Sequence, residues 1–232
     1  MKRRLFLLVM CIFLLQGCLG KEKRESDYEG ADNGMKKEQF LQAVEQKDVH
    51  LVQALIADGV EINGQDAQGR TAIMIATYGN DVETAKVLVD AGADVNIRDE
   101  MKNNPFLYAG AEGYLEILKL TIAAGADPAI TNRYGGVALI PASEHGYVEV
   151  IKELLSNTSI DVNHVNNLGW TALLEAIILN DGNERQQQSV QLLIDHGADV
   201  NLADGDGVTP LQHARKRGFQ EIEAILMEAG AK

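Results

Sequence analysis

Cysteine is nearly missing from this 232-residue chain: only Cys11 and Cys18 occur, seven residues apart near the N-terminus. Beyond Cys18 there is no thiol to close a disulfide, ligate zinc or act as a nucleophile. Long hydrophobic runs are missing too. The run Leu5–Leu15 has eleven residues, too short to span a bilayer as a finished helix. Basic residues are scarce, 21 against 34 acidic ones, for a net charge of −13. A surface this acidic argues against nucleic acid and anionic membrane as ligands and permits basic protein partners. The five histidines are scattered without metal-ligand spacing, so no metal is expected. The glycines follow a long period and not a phosphate-binding arrangement, so no cofactor or small-molecule ligand is expected either.

What the chain has is a repeat. The stretch from Asp66 to Asn96, DAQGRTAIMIATYGNDVETAKVLVDAGADVN, returns about every 33 residues. Thr71 recurs as Asn104, Val137, Thr171 and Thr209, and Gly92 as Gly125, Thr158, Gly197 and Gly230. Self-similarity of this length indicates a stacked array. Within one copy, the Thr71 hydroxyl is placed to cap a first helix by accepting from a free amide two or three residues on. Ala72, Ile73, Ile75 and Ala76 supply its apolar face. Asn80 ends it in a slot that next holds Gly113, Gly146, Asn180 and Gly218, all suited to left-handed backbone. A second helix carries Val82 and Ala85 to Val89 and stops at Gly92. Helices this short are marginal alone, so each pair must bury its apolar face against the next.

The unit resembles the ankyrin repeat, with its turn, two antiparallel helices and a motif of the form T-P-L-H-x-A. Here the motif stands as Thr71-Ala72-Ile73-Met74, Asn104-Pro105-Phe106-Leu107, Val137-Ala138-Leu139-Ile140, Thr171-Ala172-Leu173-Leu174 and Thr209-Pro210-Leu211-Gln212. None keeps the family's His at the fourth position, which bears on the usual hydrogen bonds between turns and not on the stack. The ending G-A-D-x-N stands as Gly92–Asn96 and Gly197–Asn201. The resemblance covers roughly Met35 to Lys232 and implies an all-α solenoid of stacked helix pairs with β-turn tips. It has about six repeats: an N-terminal cap near 35–63, copies near 64–96, 97–129, 130–163 and 164–201, and a C-terminal cap near 202–232. The pieces NPFL, RYGG, PASEHG and GWTALLEAI also look like a group of small bacterial ankyrin proteins. Two copies depart from the period. One residue is added around Asn157–Asp161, and about five near Asn180–Gln188, the latter expected as a surface loop between the two helices.

The N-terminus reads as a leader, residues 1–17, with Lys2, Arg3 and Arg4 ahead of the apolar run. Its end, Leu15-Gln16-Gly17-Cys18, resembles a bacterial lipoprotein signal. That resemblance implies a lipid on Cys18, which would become the first mature residue and anchor the chain to a membrane. Leu19 by the same resemblance favours the outer membrane, facing the periplasm, of a Gram-negative cell. Residues 18–34 would be a flexible tether with a coil reach of roughly 20–25 Å. Without residues 1–17 the chain keeps 18 basic and 34 acidic residues, a net charge of −16.

The family resemblance implies a protein-binding module without enzymatic activity, which recognises a protein partner by its concave face. Transferred by register, the binding positions are Arg70, Tyr78, Met101, Asn103, Glu112, Arg133, Tyr134, Glu144, His145, Leu168, Trp170, Ile178 and Leu179. An alternative is an envelope hydrolase using Glu144 and His145, and another is a passive spacer. Asp204-Gly205-Asp206-Gly207 resembles part of a calcium loop but lacks the later Glu and occupies the repeat's turn, so it reads as a hairpin tip.

Overall fold

The structure, a computed structural model, describes residues 34–232. The expected leader, the Cys18 expected to carry a lipid and nearly all of the expected tether lie outside the described residues. Within them every regular element is a helix. Residues 34–45 form α1, followed by α2 (Val49–Ala57). Five further pairs follow: α3 (Ala72–Tyr78) and α4 (Val82–Asp90), α5 (Pro105–Glu112) and α6 (Leu115–Ala123), α7 (Leu139–His145) and α8 (Val148–Asn157), α9 (Ala172–Ile178) and α10 (Glu184–Asp195), and α11 (Pro210–Arg217) and α12 (Gln220–Glu228). From α3 on, each first helix packs on the first helix of the next pair, and from α2 on each second helix packs on the next second helix. The result is two parallel layers of helices, an inner one from α3 to α11 and an outer one from α2 to α12.

Local chemistry starts and stops these helices largely as expected. Thr71 Oγ1 accepts from the Met74 amide, Asn104 Oδ1 from Leu107, Thr171 Oγ1 from Leu174 and Thr209 Oγ1 from Gln212. Val137 occupies the same slot without an acceptor, and α7 starts with no side-chain cap. At the far ends Gly113, Gly146 and Gly218 are left-handed, as is Asn80 at φ 46°. Asn180 is the exception. Its side-chain amide donates to the carbonyls of Glu175 and Ala176 at the end of α9, and Gly182, two residues on, takes the left-handed turn.

The added residues of the fifth copy form the expected loop only in part, and the rest lengthen the second helix. Only 179–183 connect the helices, and Glu184 to Gln188 open α10, which has 12 residues where α4 and α6 have 9. Gln186 is buried, and its Nε2 donates to the Glu144 carbonyl at 3.1 Å. The extra helical turn starts at Asn183, whose side-chain oxygen accepts from the Arg185 and Gln186 amides, as an N-cap does. In the other irregular copy, Thr158 does the work of the missing glycine. Its hydroxyl donates to the Leu154 carbonyl at 2.6 Å and accepts from the Ile160 amide at 3.1 Å.

The layers hold together through apolar contacts and one polar ladder. Met74, Leu107, Ile140 and Leu174, which replace the family's His, are buried core residues. Turns are tied instead by backbone bonds, Glu100 N–H to the Gln68 carbonyl and Asn167 N–H to the Tyr134 carbonyl. The Asn that ends a copy accepts from an amide one repeat later: Asn63 from Asp94, Asn96 from Asp127, Asn163 from Asp199 and Asn201 from Lys232. Ala129 has no side-chain acceptor for that rung.

Ala76, Ala109, Ala142, Ala176 and Ala214 share one buried slot along the inner layer. The helices approach closely there; a Cβ on Gly110 would lie 2.9 Å from that of Ala138 on the neighbouring copy. Ala142→Leu is therefore expected to overpack the layer and cost about 1–3 kcal/mol. Urea unfolding followed by circular dichroism checks this, and an unchanged midpoint would put the slot on the surface.

Candidate functional site

The concave side is built from the turn tips and the inner helices. Every tip centres on an Asp or Asn: Asp66, Asp99, Asn132, Asn166 and Asp204. Asn132 Oδ1 accepts from the amides of Tyr134 (2.9 Å) and Gly136 (3.0 Å), and Asn166 Oδ1 from Leu168 (2.9 Å) and Trp170 (3.1 Å). Such side-chain-to-backbone bonds mimic a backbone turn and pin the tip. They present Tyr134, Leu168 and Trp170 from a fixed main chain.

Between tips and helices runs a groove of about 680 Å³. Ten of the thirteen positions expected to bind a partner line it: Tyr78, Met101, Asn103, Glu112, Arg133, Tyr134, Glu144, Leu168, Trp170 and Leu179. Four of these are large apolar groups left open to solvent, Met101 at 49% exposure, Tyr134 at 54%, Leu168 at 60% and Leu179 at 47%. The Arg133 guanidinium lies 4.7 Å from the centre of the Tyr134 ring, a cation–π distance.

The other three stand elsewhere. Arg70 is held at the N-terminal edge by Asp66 (2.6 Å) and Glu45 (3.0 Å). Ile178 lines a neighbouring depression with His213, Lys216, Arg217 and Phe219. His145 is exposed, and its ring packs on Tyr147 with centroids 5.3 Å apart. Successive helical residues point about 100° apart, so Glu144 lines the groove and His145 does not. The two neighbours in sequence therefore face different surroundings.

Residues outside those thirteen complete the groove. The free position of the T-P-L-H-x-A motif, held by Ile75, Tyr108, Pro141, Glu175 and His213, supplies Tyr108, Pro141 and Glu175. Tyr78 packs edge-on against Tyr108 at 4.4 Å. Its hydroxyl donates to Asp99 Oδ2 at 2.5 Å and accepts from Asn103 Nδ2 at 3.2 Å. Burial above all, with Asp99 adding to it, pushes that hydroxyl up to about 12.

Glu175 is 4% exposed, and Asn166 Nδ2 donates to its Oε1 at 2.9 Å. Burial, with the nearby Glu144 charge second, pushes its carboxyl up to about 7 against the opposing bond from Asn166. One copy further on, the same two positions hold a hydrogen-bonded pair, His213 Nε2 and Asp204 Oδ2 at 2.7 Å. A Glu in a slot that elsewhere holds Ile, Tyr and Pro was the sequence signal for this group. Among the described residues, no three His, Cys, Asp or Glu are placed to hold a metal ion, and no helix is long and apolar enough to cross a membrane.

The profile of ankyrin repeats matches residues 40–132, 106–204 and 139–232. Ankyrin repeat protein YahD of Escherichia coli (strain K12) is 46% identical over 192 residues, 83% of this chain and 96% of YahD. Among solved structures, an ankyrin repeat domain from Acinetobacter baumannii AYE superposes with a TM-score of 0.82 at 52% identity, covering 83% of this chain and 98% of that one. The ankyrin repeat protein EF0377 superposes with a TM-score of 0.80 at 38% identity, covering 84% and 98%. The chain belongs to the ankyrin-repeat family, whose members are in general non-enzymatic modules of protein–protein interaction.

Proposed function

We propose that this chain is a lipid-anchored ankyrin module of the bacterial cell envelope that captures a protein partner in the groove between its turn tips and inner helices. The observation that carries the docking reading is the row of exposed apolar groups, Met101, Tyr134, Leu168 and Leu179, concentrated beside Trp170 on one face. Soluble surfaces rarely gather such groups without a partner, and Trp, Tyr and Arg are the residues that most often dominate interface energies. A photo-reactive amino acid at Leu168 is expected to crosslink one defined protein in the native host, whereas the same group at Lys86 on the outer layer is expected to crosslink none. Equal or no crosslinking from both positions would favour a passive spacer.

The anchor rests on the short apolar run ending in Leu15-Gln16-Gly17-Cys18 and on relatives in Escherichia coli and Acinetobacter baumannii. A lipid on Cys18 and a tether to residue 34 would hold the stack close to the outer membrane, on its periplasmic face, without inserting it. Cys18→Ser is expected to release the protein from membranes or leave its leader uncut. A correctly shortened Ser variant that still sediments with membranes would sink the lipoprotein reading.

A further inference from the structure

The groove carries a charge that the fold does not compensate. Glu112, Glu144 and Glu175 line it, and among the described residues none of them forms an ion pair. The cation in the lining, Arg133, already lies over the Tyr134 ring. Glu175 is the telling member. A buried carboxylate is disfavoured unless paired, and the equivalent position one repeat on is paired: His213 faces Asp204. Glu175 faces a neutral Asn166, which donates one hydrogen bond to Oε1 and brings no charge. The same groove is lined by the aromatic groups Trp170, Tyr134 and Tyr108, whose faces attract cations.

We propose that the groove is a receptor for a basic side chain, arginine or lysine, of the partner protein, its aliphatic stem lying along Trp170 and Tyr134 and its charge meeting Glu144 and Glu175. This deepens the docking reading above and rests on it. The alternatives fare worse on the same residues. An apolar anchor would strip water from the Glu144 carboxylate and bury it unpaired beside Glu175. An acidic anchor would add a further like charge. A cation pairs with Glu144 and draws Glu175 into its ionised form, and its long apolar stem suits the exposed hydrophobic rim. The acidic surface of the whole chain would also draw a basic partner in.

Trp170 is the chain's one tryptophan, so its fluorescence reports directly on the groove. The full chain is titrated with blocked pentapeptides Gly-Leu-Xaa-Leu-Gly in which Xaa is arginine, lysine, citrulline or norleucine. A saturable change is expected with arginine or lysine, at least about tenfold tighter than with the two uncharged residues. That preference is expected to vanish in the double variant Glu144→Gln/Glu175→Gln, with a melting temperature no lower than the parent's to show an intact stack. Equal response to all four peptides, or to none, overturns the inference. So does a Leu168 crosslink to the native partner that the double variant leaves unweakened, a result that would keep the groove as the docking site while removing the cation from it.

Discussion

The double substitution Trp170→Ala with Tyr134→Ala is expected to abolish capture of the partner while leaving helical circular dichroism and melting temperature nearly unchanged. Both side chains stand on tips whose backbone is held by Asn132 and Asn166 through bonds to main-chain amides. Truncation at Cβ leaves those bonds in place. Tyr134 is 54% exposed, and Trp170 is only half-buried along the groove, so neither is a core residue. Large aromatic anchors commonly cost about 2 kcal/mol or more each when truncated at an interface. Together that is on the order of a thousandfold loss of affinity. The measurement is partner recovery by crosslinking from Leu168, paired with thermal melts. A collapsed melt would make these residues core, and undiminished recovery by a folded variant would put the interface on another face.

Glu175→Gln is expected to stabilise the fold at pH 8 and to change little at pH 5. The sign follows from the direction of the shift. Burial and Glu144 raise the carboxyl from an ordinary 4.5 to about 7, so the native state favours the neutral form. The stability associated with that form is complete below pH 4.5 and is lost as pH rises through about 7. A displacement of that size corresponds to about 3 kcal/mol between the two limits. Glutamine keeps an acceptor for Asn166 and never ionises, so the variant escapes the loss. Urea unfolding of parent and variant at pH 5, 6, 7 and 8 reads the effect as the difference between the two stability curves. Parallel stability curves would show that Glu175 ionises in the fold without penalty.

Much of this molecule is legible along the chain because its determinants are local and repeated. Thr71, Thr171 and Thr209 cap helices with their own hydroxyls. Gly113, Gly146 and Gly218 end them by tolerating a left-handed turn. The alanines from Ala76 to Ala214 mark, by their period alone, where inner helices touch. Stacking follows from the same pattern, since helices of seven to twelve residues gain most of their stability from their neighbours. The groove's rim was legible for the same reason: Met101, Tyr134, Leu168 and Trp170 sit at fixed offsets from the caps.

Only the tertiary structure decided which polar groups are buried and against what. Asn180 and Gly182 competed for one left-handed turn, and the outcome depended on carbonyls of α9 within reach of the Asn180 amide. Glu184 to Gln188 open α10 behind the Asn183 cap, and only the stack buries Gln186 against the Glu144 carbonyl, 42 residues earlier. Glu144 and His145, adjacent in sequence, part company because one faces the groove and the other Tyr147. Glu175 is a free motif position along the chain and a buried acid in the stack. Burial is conferred by the adjoining repeats, and their contributions depend on contacts that the repeat period does not encode.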